Sequence, residues 1–292
     1  MNAISRRLPL ALLVALACER KPTTVPPAEP AEAPVATSTK VELPTAETVL
    51  ASAVEAEGGA AAHSAIKSYY LESRMDIPQQ GLTGLTKLWW KDGKFFMQVD
   101  MAGVGTSSLW CDGAQVVSED PINGRRTLAG KEARQAQWSA SVSLPHDWKK
   151  FFDTAKTIAR REHDGRKLID VSLSAPDGSE LLLSFDETTH LLASQRFAQA
   201  SPMGELPVEI AVDEYKQVAG LQHATKTTMS MAIMKASSQV TKFEPNVEID
   251  DTRFTPPAPK PAEPTPPPAE PEPAKGKSKG KGKPKATKAA GG

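Results

Sequence analysis

His63, His146, His163, His190 and His223, with Cys18 and Cys111, are the side chains of this chain best suited to proton transfer, metal ligation or nucleophilic attack. Each of those chemistries needs its groups at a particular spacing. No H-E-x-x-H, G-x-S-x-G or C-x-x-C occurs. The histidines are dispersed among caps and turns, which predicts solvated imidazoles, and the carboxylates gather in turns, where aspartate has backbone reasons to be. Two cysteines are too few for a disulfide scaffold or a zinc site built mainly from thiolates. The small-residue loop Met101-Ala-Gly-Val-Gly105 lacks both phosphate-loop patterns and reads as a turn. These readings predict no catalytic residue, no metal and no cofactor, and place Cys111 in a strand as a packed thiol.

Cys18 is different, because its chemistry is set by what precedes it. Arg6-Arg7 and the apolar run Leu8 to Ala17 form a basic and then a hydrophobic region of an export signal, too short to span a bilayer. Val14-Ala15-Leu16-Ala17-Cys18 resembles a bacterial lipobox, with Ala15 where leucine is usual, so residues 1–17 are expected to be removed and Cys18 lipidated. The other reading is an ordinary signal with an incidental cysteine. Several acyl chains on one cysteine hold a protein durably at a membrane, and Glu19 after the cysteine favours the outer membrane, facing the periplasm. Residues 18–44 continue as a Pro/Ala-rich spacer.

The segment able to fold is 45–257. Thr45 is placed to cap a helix over 46–57 that Gly58-Gly59 ends, and a second helix is expected over 60–67. Alternating apolar residues then predict strands over 69–77, 82–90, 95–101, 107–111 and 114–119. From Lys131 the period becomes helical, through Trp148, Phe151 and Phe152. A β-meander follows over 157–197, punctuated by Asp164-Gly165 and Asp177-Gly178, and then strands over 207–218, 221–234 and 239–243. The expected fold class is mainly β with a few helices: one large antiparallel sheet of about ten to twelve strands.

Trp110-Cys-Asp-Gly113, Phe185-Asp-Glu-Thr-Thr-His-Leu-Leu192, Asp213-Glu-Tyr215 with Val218-Ala-Gly220, and Ile249-Asp-Asp-Thr-Arg-Phe254 carry a resemblance to the LolA/LolB-like family of bacterial lipoprotein-sorting proteins. Thr189-His190 stands where the family more often has Thr-Gly. The resemblance implies a curved sheet, an incomplete β-barrel, whose concave face is covered by helices around a hydrophobic cavity for acyl chains or a lipoprotein. Independently, a sheet this wide has more apolar surface than a few helices can fill. Met75, Phe95, Met97, Val99, Leu173, Leu183, Phe185, Met229, Met231 and Ile233 are the expected cavity residues, methionine being adaptable to chains of variable shape. The same methionines would equally suit a packed core.

Residues 258–292 are Pro-rich and then Lys/Gly-rich: seven lysines and no acid lie between Lys275 and Gly292, hidden by an overall net charge of zero. Such a tail suits an anionic envelope polymer or lipid head groups, or acts only as a disordered solubilising segment. Nucleic acid is not an expected partner of an exported chain. The leading expectation is a membrane-anchored envelope lipoprotein that binds acyl chains or a lipoprotein, in lipoprotein sorting or lipid transport. Its alternative is a structural or interaction module with no cavity.

Overall fold

The computed structural model describes residues 42–258. The export signal, Cys18 and the Lys-rich tail lie outside the described residues. The Thr45 hydroxyl accepts from the Thr48 N–H at 3.2 Å and so caps α1 (Ala46–Glu57), which turns Val49, Leu50 and Ala53 inward. Gly58 ends it at φ 128°, and a Cβ there would stand 2.3 Å from the Gly220 carbonyl oxygen. Gly58→Ala is therefore expected to cost about 1–3 kcal/mol, read as a lowered thermal midpoint. The next helix, α2 (Ala60–Ala65), stops two residues short of the expected Lys67.

β1 (Ser68–Ile77), β2 (Leu82–Lys91), β3 (Lys94–Met101), β4 (Gly105–Cys111), β5 (Val116–Asp120) and β6 (Gly124–Leu128) form one antiparallel meander. β7 (Thr154–His163), β8 (Arg166–Ser174), β9 (Glu180–Asp186), β10 (Leu192–Ser201), β11 (Gly204–Val218), β12 (Leu221–Met231) and β13 (Met234–Pro245) form a second. Aspartate–glycine pairs make the tightest turns, with φ 48° and 82° at Asp92-Gly93 and 50° and 73° at Asp164-Gly165. Pairing of β1 with β13 joins the meanders into one 13-stranded antiparallel sheet, ordered β6-β5-β4-β3-β2-β1-β13-β12-β11-β10-β9-β8-β7. β6 and β7 are its two edges, so the barrel is not closed. The segment between them carries α3 (Gly130–Ser139) and α4 (Leu144–Asp147).

Thirteen strands exceed the expected ten to twelve because β6 is not among those expected. It has no apolar alternation because it is an edge, where charged side chains such as Arg125 and Arg126 suit the solvent boundary. The last hairpin also turns earlier than expected, inside 221–234, at Ala232, which takes φ 50° without any glycine or asparagine to signal a turn. Register shifts at Glu72/Ser73, Thr157/Ala159, Leu192/Ser194 and Val212/Glu214 bend the sheet.

Two clusters make the core. Under α1, Val49, Leu50 and Ala53 meet Val171 and Leu173 of β8, Leu181, Leu183 and Phe185 of β9, and Trp138, Trp148 and Phe152 from the β6–β7 connection. Under α2 and the end of α3, Ile66 and Ala140 meet Tyr69, Leu88, Phe95, Cys111 and Val116. On the opposite face the closing segment is held by the Asp251 carboxylate, which accepts from Lys91 Nζ at 2.7 Å and Lys94 Nζ at 3.0 Å, and by Arg253 over the Trp89 ring at 4.5 Å.

Candidate functional site

Strand register turns the concave face into rows. Tyr69, Trp90, Phe95, Cys111, Val116 and Leu128 lie side by side across β1 to β6. The next row toward the β1–β2 turn is Leu71, Leu88, Met97, Leu109, Ser118 and Arg126. After it comes Ser73, Thr86, Val99 and Ser107, where the floor becomes mainly polar. Successive rows are two residues apart, roughly 7 Å, so the continuous apolar floor is short.

α3 roofs that floor. Leu88, Phe95, Met97, Leu109 and Leu128 below, Ala136 and Ala140 above, and residues 199–203 at the side line a partly open cavity of about 350 Å³. Three contacts pin the roof. Arg126 forms a bidentate pair with Glu132, at 2.7 and 2.8 Å. Tyr69 Oη donates to the Ala140 carbonyl at 2.7 Å, and burial pushes this phenol's pKa up, keeping it a donor. Gln135 acts as a surrogate strand. β9 pairs β10 only as far as Phe197, and beyond it the Gln135 amide donates to the Ala198 carbonyl and accepts from the Ala200 N–H at 2.9 Å and Gln199 Nε2 at 3.0 Å. Gln135→Ala removes the protein partners of those part-buried backbone groups and is expected to cost about 1 kcal/mol, measured as a lower urea midpoint.

Of the cavity residues expected from sequence, Phe95 and Met97 line it. Val99 and Met75 share their face but sit farther toward the rim, outside it. Leu173, Leu183 and Phe185 are instead close-packed under α1, because α1 with Trp138, Trp148 and Phe152 fills the space above them. Met229 and Met231 are half-buried on β12, away from the cavity lining. Ile233 is 97 % exposed at the β12–β13 turn, not on a strand face, since the chain reverses there. Sequence reasoning missed Leu88, Leu109, Leu128, Ala136 and Gln135. The alternation of β2 and β4 already pointed Leu88 and Leu109 to the Met97 face, but only the register aligns the three.

The expected solvation of the histidines holds for His163 and His190 and fails for the others. His63 is buried, with Nε2 3.3 Å from the Glu57 carboxylate and its ring stacked on His146 at 5.3 Å. Ser143 Oγ donates to Glu57 at 2.6 Å. His146 Nδ1 lies 2.8 Å from Asp147. Burial alone would raise the Asp147 carboxyl, but contacts from Lys150, His146 and Ser141 outweigh it and hold its pKa low. This group borders a second, more polar hollow of about 600 Å³ with Lys67, Trp90 and Lys150. The row through Tyr69 and the Tyr69–Ala140 bond stand between the two spaces. Ser143 Oγ donates to the Glu57 carboxylate and not to an imidazole, so the group is not a serine–histidine pair. Cys111 is buried, which pushes its thiol pKa up and leaves it protonated and unreactive.

No protein-family model and no curated protein matches the sequence. Solved structures do match the fold. A LolA superfamily protein from Nitrosomonas europaea aligns over 73 % of this chain and 98 % of its own, at 14 % identity and a TM-score of 0.51. A Vibrio parahaemolyticus domain named for outer membrane lipoprotein sorting aligns over 72 % of this chain and 97 % of its own, at 12 % identity and a TM-score of 0.51. The open 13-stranded sheet with its few helices is thus a LolA-like fold.

Proposed function

We propose that the protein is a membrane-anchored envelope lipoprotein that holds acyl chains in the cavity under α3, without covalent catalysis. One observation carries this reading. The concave face, where a sandwich would be filled by a second layer, keeps about 350 Å³ of partly open, mainly apolar space with a pinned roof. The fold shared with proteins of the LolA superfamily and with a domain named for lipoprotein sorting supports it. Lipidation at Cys18, an outer-membrane position facing the periplasm, the boundaries 1–17, 18–44, 45–257 and 258–292, and an electrostatic role for the Lys-rich tail belong to the same proposal. They rest on the signal and charge pattern in the sequence. The test is native mass spectrometry of the full chain with Cys18→Ser, followed by extraction of whatever co-purifies. A stoichiometric lipid is the expected result. An apo mass together with no uptake of a fluorescent fatty acid refutes the reading.

A second reading, an envelope interaction module, is favoured by the hairpin tips. Val104, Ile122, Met203 and Ile233, exposed by 50, 83, 93 and 97 %, all sit in turns at one end of the sheet. Serine at Val104, Ile122 and Ile233, none of which lines the cavity, is expected to abolish partner capture under this reading, while leaving lipid content untouched.

A further inference from the structure

We infer that the cavity under α3 takes one acyl chain, so that the protein's ligand is a single-chain amphiphile, a fatty acid or a lysolipid, and not a two- or three-chain lipid anchor. The inference rests on the acyl-binding reading above and narrows it. A methylene fills close to the volume of one liquid water, about 30 Å³. The cavity of about 350 Å³ therefore holds roughly a dozen carbons of chain. Two or three chains need two or three times that space.

The space is not readily enlarged. At its inner end Phe95, 1 % exposed, and Ala140, tied to Tyr69, line the wall. Overhead, α3 is held to β6 by Arg126–Glu132, to β10 by Gln135 and to β1 by Tyr69, which are three separate strands of the sheet. Widening the lumen means breaking bonds at more than one of these points together. Toward the rim the floor turns mainly polar at Ser73, Thr86 and Ser107, so a second chain has no continuous apolar surface beside the first. At the mouth Arg126 is already neutralised by Glu132, and Asn123, Gln199 and Ser201 are uncharged. The site therefore selects by chain and not by head-group charge.

The experiment is native mass spectrometry and titration calorimetry of the full chain. The probes are dodecanoic acid, a monododecanoyl lysophospholipid, a didodecanoyl phospholipid and a triacylated lipopeptide. One equivalent of each single-chain probe is expected to bind, with the two- and three-chain probes weaker by about tenfold or more. Ala136→Phe, which fills the lumen from the roof, is expected to weaken the single-chain probes by about tenfold. The wild-type stoichiometry decides the matter even where that variant fails to fold. Equal or tighter binding of the two- or three-chain probes overturns the single-chain inference while leaving acyl binding intact. Single-chain binding that a folded Ala136→Phe variant does not weaken places the chain elsewhere and also overturns it. No binding of any probe overturns the acyl-binding reading itself. A difference between the fatty acid and the lysophospholipid identifies which source of chain is preferred.

Discussion

Trp138→Ala is expected to lower the unfolding free energy by about 3–5 kcal/mol and, in the molecules that remain folded, to abolish acyl-chain retention. Trp138 is 4 % exposed and meets the Phe197 ring edge-on at 4.9 Å and 89°. It projects from α3 away from the cavity. Gln135, Ala136, Ser139 and Ala140 face the lumen, while Trp138 and Arg134 hold the helix to the other half of the sheet, Arg134 Nε donating to Asp177 at 2.8 Å. Removing the indole thus empties a site in the core cluster and releases the roof of the cavity at once. Phe185→Ala is the control. Phe185 is 2 % exposed in the same cluster, and its loss is expected to destabilise by a similar amount. It does not line the cavity, so lipid retention should survive at temperatures where both variants are folded. Equal loss of retention in the two variants would separate the α3 roof from ligand binding and leave only a stability effect.

Lowering the pH from 6.5 to 4 is expected to remove about 2–3 kcal/mol of stability through His223 alone. Its ring stacks on Phe243 at 4.4 Å, and Nε2 is shut off from solvent with no partner. Burial pushes its pKa down from 6.5 to about 4. The sign follows from proton counting. Between those values the unfolded chain binds a proton that the folded one refuses, so stability rises with pH across the window. The contribution is fully present above the unfolded pKa and is lost as pH falls toward the folded one. Carboxylates held low, such as Asp177 at about 2, act in the same direction but from a lower starting pH. Urea midpoints measured from pH 7 to 4 should fall in the wild type and fall less in His223→Leu. Parallel pH profiles for the two proteins would show that some other group sets the slope.

The local parts of this fold were legible in the sequence because their causes are local. Alternation along Leu71 to Ile77 or Leu181 to Phe185 depends on two-residue periodicity alone. Asp92-Gly93 and Asp164-Gly165 turn because their backbones tolerate positive φ, whatever lies around them. Thr45 capped α1, and the helical period after Lys131 marked the segment that covers the sheet. The break at Ala232 was hidden because an alanine carries a conformation that glycine or asparagine usually announces.

The site itself was decided by contacts between residues far apart in sequence. Every cavity residue expected from sequence lies on a strand except Ile233, yet only Phe95 and Met97 of them line the space. Apolarity says that a side chain is buried. It does not say whether another side chain or a void stands opposite. That depended on where α3 crosses the sheet, which in turn rests on Gln135 reaching the unpaired edge of β10 and Tyr69 reaching Ala140. It depended also on β1 pairing with β13, which brings the two meanders into one open sheet. His63 and His146 carry the same lesson. Eighty-three positions apart in the chain, they stack only because α2 and α4 dock at one end of the sheet. Periodicity and turn chemistry are properties of a few neighbouring residues, so the sequence alone determined the strands and most of their turns. The volume under α3 is set by long-range packing, so only the tertiary structure decided where it lies and how much it holds.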